Sequence, residues 1–144
     1  MVNRCRVSLT LWLFLVALFG YWVRFDAPIA ATLRDGLGGA AYVIFFVVAI
    51  AIVTPASSAA RIALIVLGTT CALEFLQLWH PVWFEKTRRT FPGRALLGTT
   101  FDWTDFPPYF AGALIGWMLV RLNQRIWLYS SMRARRASLR RTLR

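Results

Sequence analysis

Four apolar stretches constrain the fold of this chain more than any other feature of its sequence. They lie at residues 7–23, 37–53, 62–79 and 107–127, and the first two contain no charged residue. A transmembrane helix needs about 20 predominantly apolar residues to cross a hydrocarbon core of about 30 Å. The pattern predicts an all-α fold, namely a polytopic transmembrane bundle with four spans. The bundle occupies residues 1–127 and includes an outer loop at 80–106. Residues 128–144 form a tail after it.

The first and fourth stretches each admit another interpretation. A basic start before 7–23 is also typical of a secretory signal peptide, but residues 25–30 offer no clean small-x-small cleavage site, so we expect a retained span. The fourth stretch is fully apolar only over 107–120, which covers about 21 Å at 1.5 Å per residue. Its extension to residue 127 requires Arg121 and Arg125 to lift their guanidinium groups to the lipid headgroups.

The composition excludes an ordinary soluble domain. Hydrophobic residues make up 58% of the chain and charged residues 16%, whereas soluble domains have roughly 45–50% and about 25%. The apolar content excludes disorder, and two cysteines, Cys5 and Cys71, do not make a disulfide scaffold.

The distribution of basic residues predicts the orientation. The chain has 17 Lys and Arg against 6 Asp and Glu, a net charge of +11. Four spans place eleven basic residues on the side of the two termini and six on the other side. Because cytoplasmic loops are enriched in Lys and Arg, we expect both termini in the cytoplasm and a multi-pass protein of the bacterial cell (inner) membrane.

The Arg-rich tail has three possible roles. It is an orientation signal with a disordered tip, an amphipathic helix on anionic lipid, or, least favoured, a nucleic-acid contact, for which no binding motif is present. We expect membrane lipids and no nucleic acid as partners, with anionic headgroups at Arg133, Arg135, Arg136, Arg140, Arg141 and Arg144.

Glu74 is the one acidic residue within an expected span. Thr70 and Gln77 stand at i−4 and i+3 from it, on the same helix face. A carboxylate in lipid is costly, so this face should point into the bundle and be neutralised or paired with a cation. The interpretations are a structural bridge to Arg94, a site that handles substrate or protons, and a glutamate near the interface with no special role.

Asp102 and Asp105 lie just before Pro107, where they would either cap the fourth helix or join Glu74 at one rim of the bundle. Glu74, Asp102 and Asp105 are therefore the candidate catalytic residues. The candidates for binding a substrate are Gln77, Arg94, Thr100, Trp103 and Tyr109.

We expect neither a metal nor a cofactor. His80 is the only histidine, so ligand spacing typical of a metal site is missing from the sequence. Gly112 and Gly116 form a GxxxG motif for close helix packing. We favour a partner helix within the chain over one in a second copy, and a homo-oligomer stays possible.

Two membrane-protein families resemble this sequence. The segment LEFLQ at 73–77, Arg94, and then LLGTTFDWTDFPPYFAGALIG at 96–116 resemble the signature of the small bacterial integral-membrane proteins grouped as domain of unknown function 2809. A looser similarity links the same stretch to VanZ-like membrane proteins through Glu74, Gln77, Arg94, Asp105, Gly112 and Gly116, with Tyr109 where that pattern has Asn. The resemblance implies a bacterial membrane protein and no particular reaction.

Three functions are compatible with these residues. The first, which we favour over an enzyme, is a binding or structural module of the cell envelope with a polar site at the outer membrane interface. The second is an enzyme acting on a lipid-linked phosphate or glycan, with Glu74 or Asp102 as general base and Arg94 holding the anion. The third is a small proton-coupled transporter that uses Glu74.

Overall fold

Four α-helices make up most of the part of the chain that the structure describes. The computed structural model describes residues 2–78, 86, 90, 93 and 101–142, with side chains at 6–78, 86, 90, 93 and 101–126. The helices are α1 (Val2–Phe25), α2 (Ala31–Val53), α3 (Ala59–Leu76) and α4 (Phe106–Thr142), and a 3-10 turn at Trp103–Asp105 leads directly into α4. These described residues contain no β-strand, so the all-α prediction is confirmed.

The helices differ in length from the apolar stretches of the sequence. α1 and α2 begin several residues earlier, because polar residues at a helix end do not interrupt backbone hydrogen bonding. α3 ends at Leu76, three residues before the predicted limit, and Gln77 is its C-terminal cap. α4 has 37 residues, so the backbone of 128–142 continues it in helical form.

Three of the helices are long and apolar enough to cross a membrane, at Arg6–Phe25, Ala31–Val53 and Ala59–Leu76. α4 is not among them; its C-terminal half contains many arginines. Large apolar side chains lie on the outside of the bundle, such as Phe14 at 62% and Leu64 at 68% exposure. Apolar surface on this scale is typical of contact with hydrocarbon, and it indicates a membrane protein.

Short polar contacts end the helices and fix the connections between them. Thr54 precedes Pro55, and its hydroxyl donates to the carbonyl of Ile50 at 2.7 Å, which closes the last turn of α2. The Ser58 side chain accepts from the Arg61 backbone N–H and caps α3. Arg34, in the first turn of α2, donates to the carbonyls of Ala27 and Ile29 in the preceding connection.

α2 lies at the centre of the bundle. It packs most extensively against α4 and α1, and α3 packs mainly against α4. Val43 and Val47 are fully buried on the side of α2 that faces α4. They belong to a core that consists of Leu9, Val43, Val47, Val48, Ala51, Ala59, Ile62, Ala63, Val66, Ala113 and Val120.

The two glycines of the GxxxG motif bring α4 against α2. A Cβ atom at Gly112 would lie 2.6 Å from the carbonyl oxygen of Ala40, and one at Gly116 would lie 3.0 Å from Cβ of Val47. Only residues without a side chain permit this approach. The helix that these glycines contact therefore belongs to the same chain.

Amide side chains fix α4 at the other end of the bundle. The buried Asn123 amide donates to the Ser8 hydroxyl of α1 at 2.8 Å, and the half-buried Gln124 donates to the carbonyl of Ser57 at 3.2 Å. These part-buried bonds connect α4 to α1 and to the connection between α2 and α3.

Candidate functional site

A buried carboxylate lies at the centre of the candidate site. Glu74 occupies the last turn of α3 and is 2% exposed. Thr70 and Gln77, the residues predicted to share its face, are also buried, at 6% each. The Thr70 hydroxyl donates to the carbonyl of Val66 in its own helix at 2.9 Å, so it does not bond to Glu74.

Glu74 accepts three hydrogen bonds from three parts of the chain. Its Oε1 accepts the backbone N–H of Asp102 at 3.1 Å. Its Oε2 accepts the Tyr109 hydroxyl at 3.0 Å and the Gln77 amide at 3.3 Å. All three partners are donors, which match the acceptor oxygens of the side chain. These bonds join α3, the residue before the 3-10 turn, and α4 at one end of the bundle.

The Tyr109 hydroxyl reaches Glu74 because a glycine on α2 leaves space for its ring. A Cβ atom at Gly39 would lie 3.0 Å from Cε1 of Tyr109. Any larger side chain at residue 39 would therefore displace the tyrosine. Pro108 packs similarly over Gly36, where a Cβ atom would lie 3.4 Å from its Cγ.

Asp102 and Asp105 have different surroundings, although they are only three residues apart. The Asp102 Oδ1 accepts the backbone N–H of Thr104 at 2.8 Å and caps the 3-10 turn, where capping of α4 itself was expected. The same hydrogen bond to Thr104 lowers the pKa of Asp102 below its usual range, and its side chain is exposed. Asp102 is therefore ionised at neutral pH and is a poor proton carrier.

Asp105 is partly buried and close to other acids. Burial is the main cause that raises its pKa to about 6, followed by repulsion from Glu74, Asp102 and Asp35, while a hydrogen bond with Tyr109 acts in the opposite direction. Tyr109 has one hydroxyl proton, which it donates to Glu74. A hydrogen bond that lowers the pKa of a carboxyl is one that its ionised form accepts, so Asp105 and Glu74 compete for this single proton.

We call these groups the Glu74 cluster. It consists of the side chains of Glu74, Gln77, Asp105 and Tyr109 together with the backbone N–H of Asp102.

An aromatic group covers one side of the cluster. Trp103 is 67% exposed, and its ring lies 4.9 Å from Phe101, 5.5 Å from Phe106 and 6.1 Å from Phe75. Exposed tryptophan with an apolar support is typical of a membrane–water interface. The cluster thus adjoins an exposed aromatic surface.

The structure brings most of the predicted site residues together. Glu74, Gln77 and Tyr109 share hydrogen bonds, Asp105 adjoins Tyr109, and Asp102 contributes its backbone rather than its carboxylate. Arg94 and Thr100 lie outside the described residues, so the Glu74–Arg94 bridge stays a prediction.

Sequence reasoning missed some groups that build the site. The Asp102 N–H could not be anticipated, because backbone partners depend on how the chain folds back. Gly39 carried a signal, since the run of small residues at 36–41 is typical of close helix packing. Phe75, Phe101 and Phe106, which support Trp103, had no signal beyond their apolar character.

No group of three or more His, Cys, Asp or Glu suited to a metal ion occurs among the described residues. The predictions that the protein uses no metal and no cofactor stay predictions.

The comparisons with known proteins found one match. A protein-family model described as "Protein of unknown function (DUF2809)" matches residues 29–113. This range contains α2, α3, the 3-10 turn and the start of α4, and thus every residue of the Glu74 cluster. The search of curated proteins and the search of solved structures gave no match.

Proposed function

The chain belongs to the DUF2809 family, and from this premise we propose that it is a binding module of the bacterial cell envelope, with the Glu74 cluster as its outer polar site. α1, α2, α3 and the first 20 or so residues of α4 form four membrane spans, and both termini lie in the cytoplasm. The protein thus resides in the inner membrane. The proposal also includes a looser similarity to VanZ-like membrane proteins, which rests on Glu74, Gln77, Arg94, Asp105, Gly112 and Gly116.

One observation supports binding over catalysis. Both oxygens of Glu74 are engaged by donors, one of which is a backbone N–H 28 residues away in sequence. A carboxylate in this setting is held in place and offers little capacity to remove a proton from a substrate. Its effect is to hold the 3-10 turn and Trp103 against α3 and α4, which presents a rigid polar and aromatic surface at the interface.

Asp105 supports an enzyme as a second candidate. A general acid or base works best when its pKa is near the operating pH, and the pKa of Asp105 is raised to about 6. Catalysis on a lipid-linked phosphate or glycan would therefore use Asp105, in preference to Glu74 or Asp102. A proton-coupled transporter that uses Glu74 receives less support, because that carboxylate already accepts three hydrogen bonds.

Lipid mass spectrometry on the purified protein tests the binding function. We expect an envelope lipid to be enriched over the bulk membrane composition in the parent protein and lost in Trp103→Ala and Glu74→Gln. Asn123→Ala is the matched control, since it removes a part-buried hydrogen bond between α4 and α1 at the other end of the bundle. An unenriched lipid profile, or equal retention in all variants, would contradict the proposal.

The enzyme candidate has its own test. Purified protein would have to turn over envelope lipid intermediates, and Asp105→Asn would have to abolish the turnover with folding intact. If turnover persists in Asp105→Asn, this mechanism is wrong.

A further inference from the structure

A groove between α2 and α3 lies next to the Glu74 cluster. Its volume is about 300 Å³. On α2 it is lined by Tyr42, Phe46 and Ile50, which are four residues apart and therefore share one helix face. The lining residues on α3 are Ile65, Val66, Thr69, Thr70 and Leu73.

The groove exists because α2 packs less extensively against α3 than against α1 or α4. Both of its walls are helices long and apolar enough to cross a membrane. Ile65 is 58% exposed at the edge of the groove. In a bilayer, the groove therefore opens sideways to the lipid chains.

The lining favours a hydrocarbon occupant. Most of the lining side chains are apolar, and the Thr70 hydroxyl already donates to Val66. A polar ligand placed along the groove would lose its hydrogen bonds to water with little replacement. A hydrocarbon chain has no polar group to leave unpaired against this apolar lining, so it fits the groove without that cost.

One end of the groove adjoins the polar site. Thr70 and Leu73 precede Glu74 in the same helix, and Tyr42 lies close enough to Tyr109 to act on it electrostatically. A chain in the groove gains little over a chain in the bilayer, because lipid tails are equally apolar. Selective binding therefore requires a headgroup that interacts at this end.

We propose that the groove binds one hydrocarbon chain of an outer-leaflet lipid whose headgroup lies at the Glu74 cluster. This inference rests on the proposed function and specifies its ligand as a lipid held by both its chain and its headgroup. The chain runs from Leu73 toward Ile65 along α3, that is, from near the outer end of this helix past its middle.

Photo-crosslinking tests the groove. The full-length protein is placed in bilayers of phosphatidylethanolamine and phosphatidylglycerol that contain a phospholipid with a diazirine on its acyl chain. After irradiation, the labelled peptides are mapped. We expect several-fold stronger labelling of residues 42–50 and 65–73 than of the exposed face of α1 around Phe14 and Leu15.

Two neighbouring residues on α3 provide a matched pair of variants. Ile65→Trp fills the groove, whereas Leu64→Trp adds the same side chain at an exposed residue outside it. We expect a several-fold loss of groove labelling in Ile65→Trp and none in Leu64→Trp. If Ile65→Trp does not fold, Thr69→Phe fills the groove from the same helix.

Uniform labelling of all exposed apolar faces, or labelling unchanged by groove-filling variants, would overturn the inference. A dimer that dissociates in Ile65→Trp while labelling persists would assign the groove to a second copy and would also overturn it. Failure here is distinguishable from failure of the proposed function. If a lipid is still enriched and is lost in Trp103→Ala, the headgroup site stands without the groove.

Discussion

Substitution of Gly112 by alanine tests the contact between α2 and α4 most directly. The added Cβ atom would lie 2.6 Å from the carbonyl oxygen of Ala40, 3.0 Å from its Cα and 3.1 Å from Cβ of Val43. Non-bonded atoms prefer separations of about 3.5–4.0 Å. Two of these three contacts are backbone atoms, which cannot rotate away, so the helices must separate by roughly 1 Å.

The expected cost follows from two opposing effects. Overpacking of a well-packed core costs typically about 1–3 kcal/mol, and the upper part of this range applies because the neighbour is backbone. Alanine is favoured over glycine within a helix by about 1 kcal/mol. The net result is a decrease of about 1–2 kcal/mol in the free energy of unfolding.

Other glycines of the bundle provide graded controls. A Cβ atom at Gly116 would meet the Val47 side chain at 3.0 Å, so Gly116→Ala should cost less than Gly112→Ala. A Cβ atom at Gly68, on the exposed side of α3, would meet nothing within 4 Å. Gly68→Ala should therefore be neutral or stabilising by up to about 1 kcal/mol.

Unfolding of the purified protein by a denaturing detergent measures these differences. The expected order of stability is Gly68→Ala, then Gly116→Ala, then Gly112→Ala. If Gly112→Ala is as stable as Gly68→Ala, the close approach of α4 to Ala40 is not a feature of the folded protein, and the reasoning is refuted.

Three further predictions concern the Glu74 cluster and the topology. Tyr109→Phe and Glu74→Gln should each lower the free energy of unfolding by about 1–3 kcal/mol, because each weakens the hydrogen bond between these two side chains. The double variant should lose less stability than the sum of the two single losses. Additive losses would show that the two residues do not interact. The same comparison of single and double variants, made with Glu74→Gln and Arg94→Ala, tests the predicted bridge between these two residues. The pKa of Asp105 is raised to about 6 in the folded protein, from an ordinary value of about 3.9. Between these two pH values the folded state therefore binds more protons than the unfolded state. The contribution of Asp105 to stability consequently falls as pH rises through this window. Denaturation of the parent and of Asp105→Asn across this pH window should show the loss of stability only in the parent. If both proteins show the same pH dependence, the raised pKa does not belong to Asp105. A reporter that works only in the cytoplasm should be active when it is fused to the C-terminus. If instead only a reporter that works outside the cytoplasm is active there, the proposed topology is reversed.

The sequence predicted the helices well because each has a strong local signal. The uncharged runs at 7–23 and 37–53 lie within α1 and α2, and α2 ends at Val53, where its uncharged run ends. The limits of α3 and α4 were less predictable. Helical hydrogen bonding continues through polar residues, so an apolar run underestimates the length of a helix such as α4.

The sequence named residues of the candidate site, but it did not predict the hydrogen bonds between them. The i−4, i, i+3 spacing correctly indicated that Thr70, Glu74 and Gln77 share a buried face. Hydrogen bonds between distant segments depend on geometry that spacing does not encode. The Asp102 N–H and the Tyr109 hydroxyl are therefore partners of Glu74 that only the folded chain reveals.

The unbroken length of α4 has a consequence for the Arg-rich end of the chain. Its 37 residues extend about 55 Å at 1.5 Å per residue, whereas the hydrocarbon core is about 30 Å thick. When Phe106 lies at one boundary of this core, roughly 25 Å of helical backbone therefore extends past the other boundary. A single span uses little more than half of α4, so the backbone of 128–142 continues the helix beyond the hydrocarbon core.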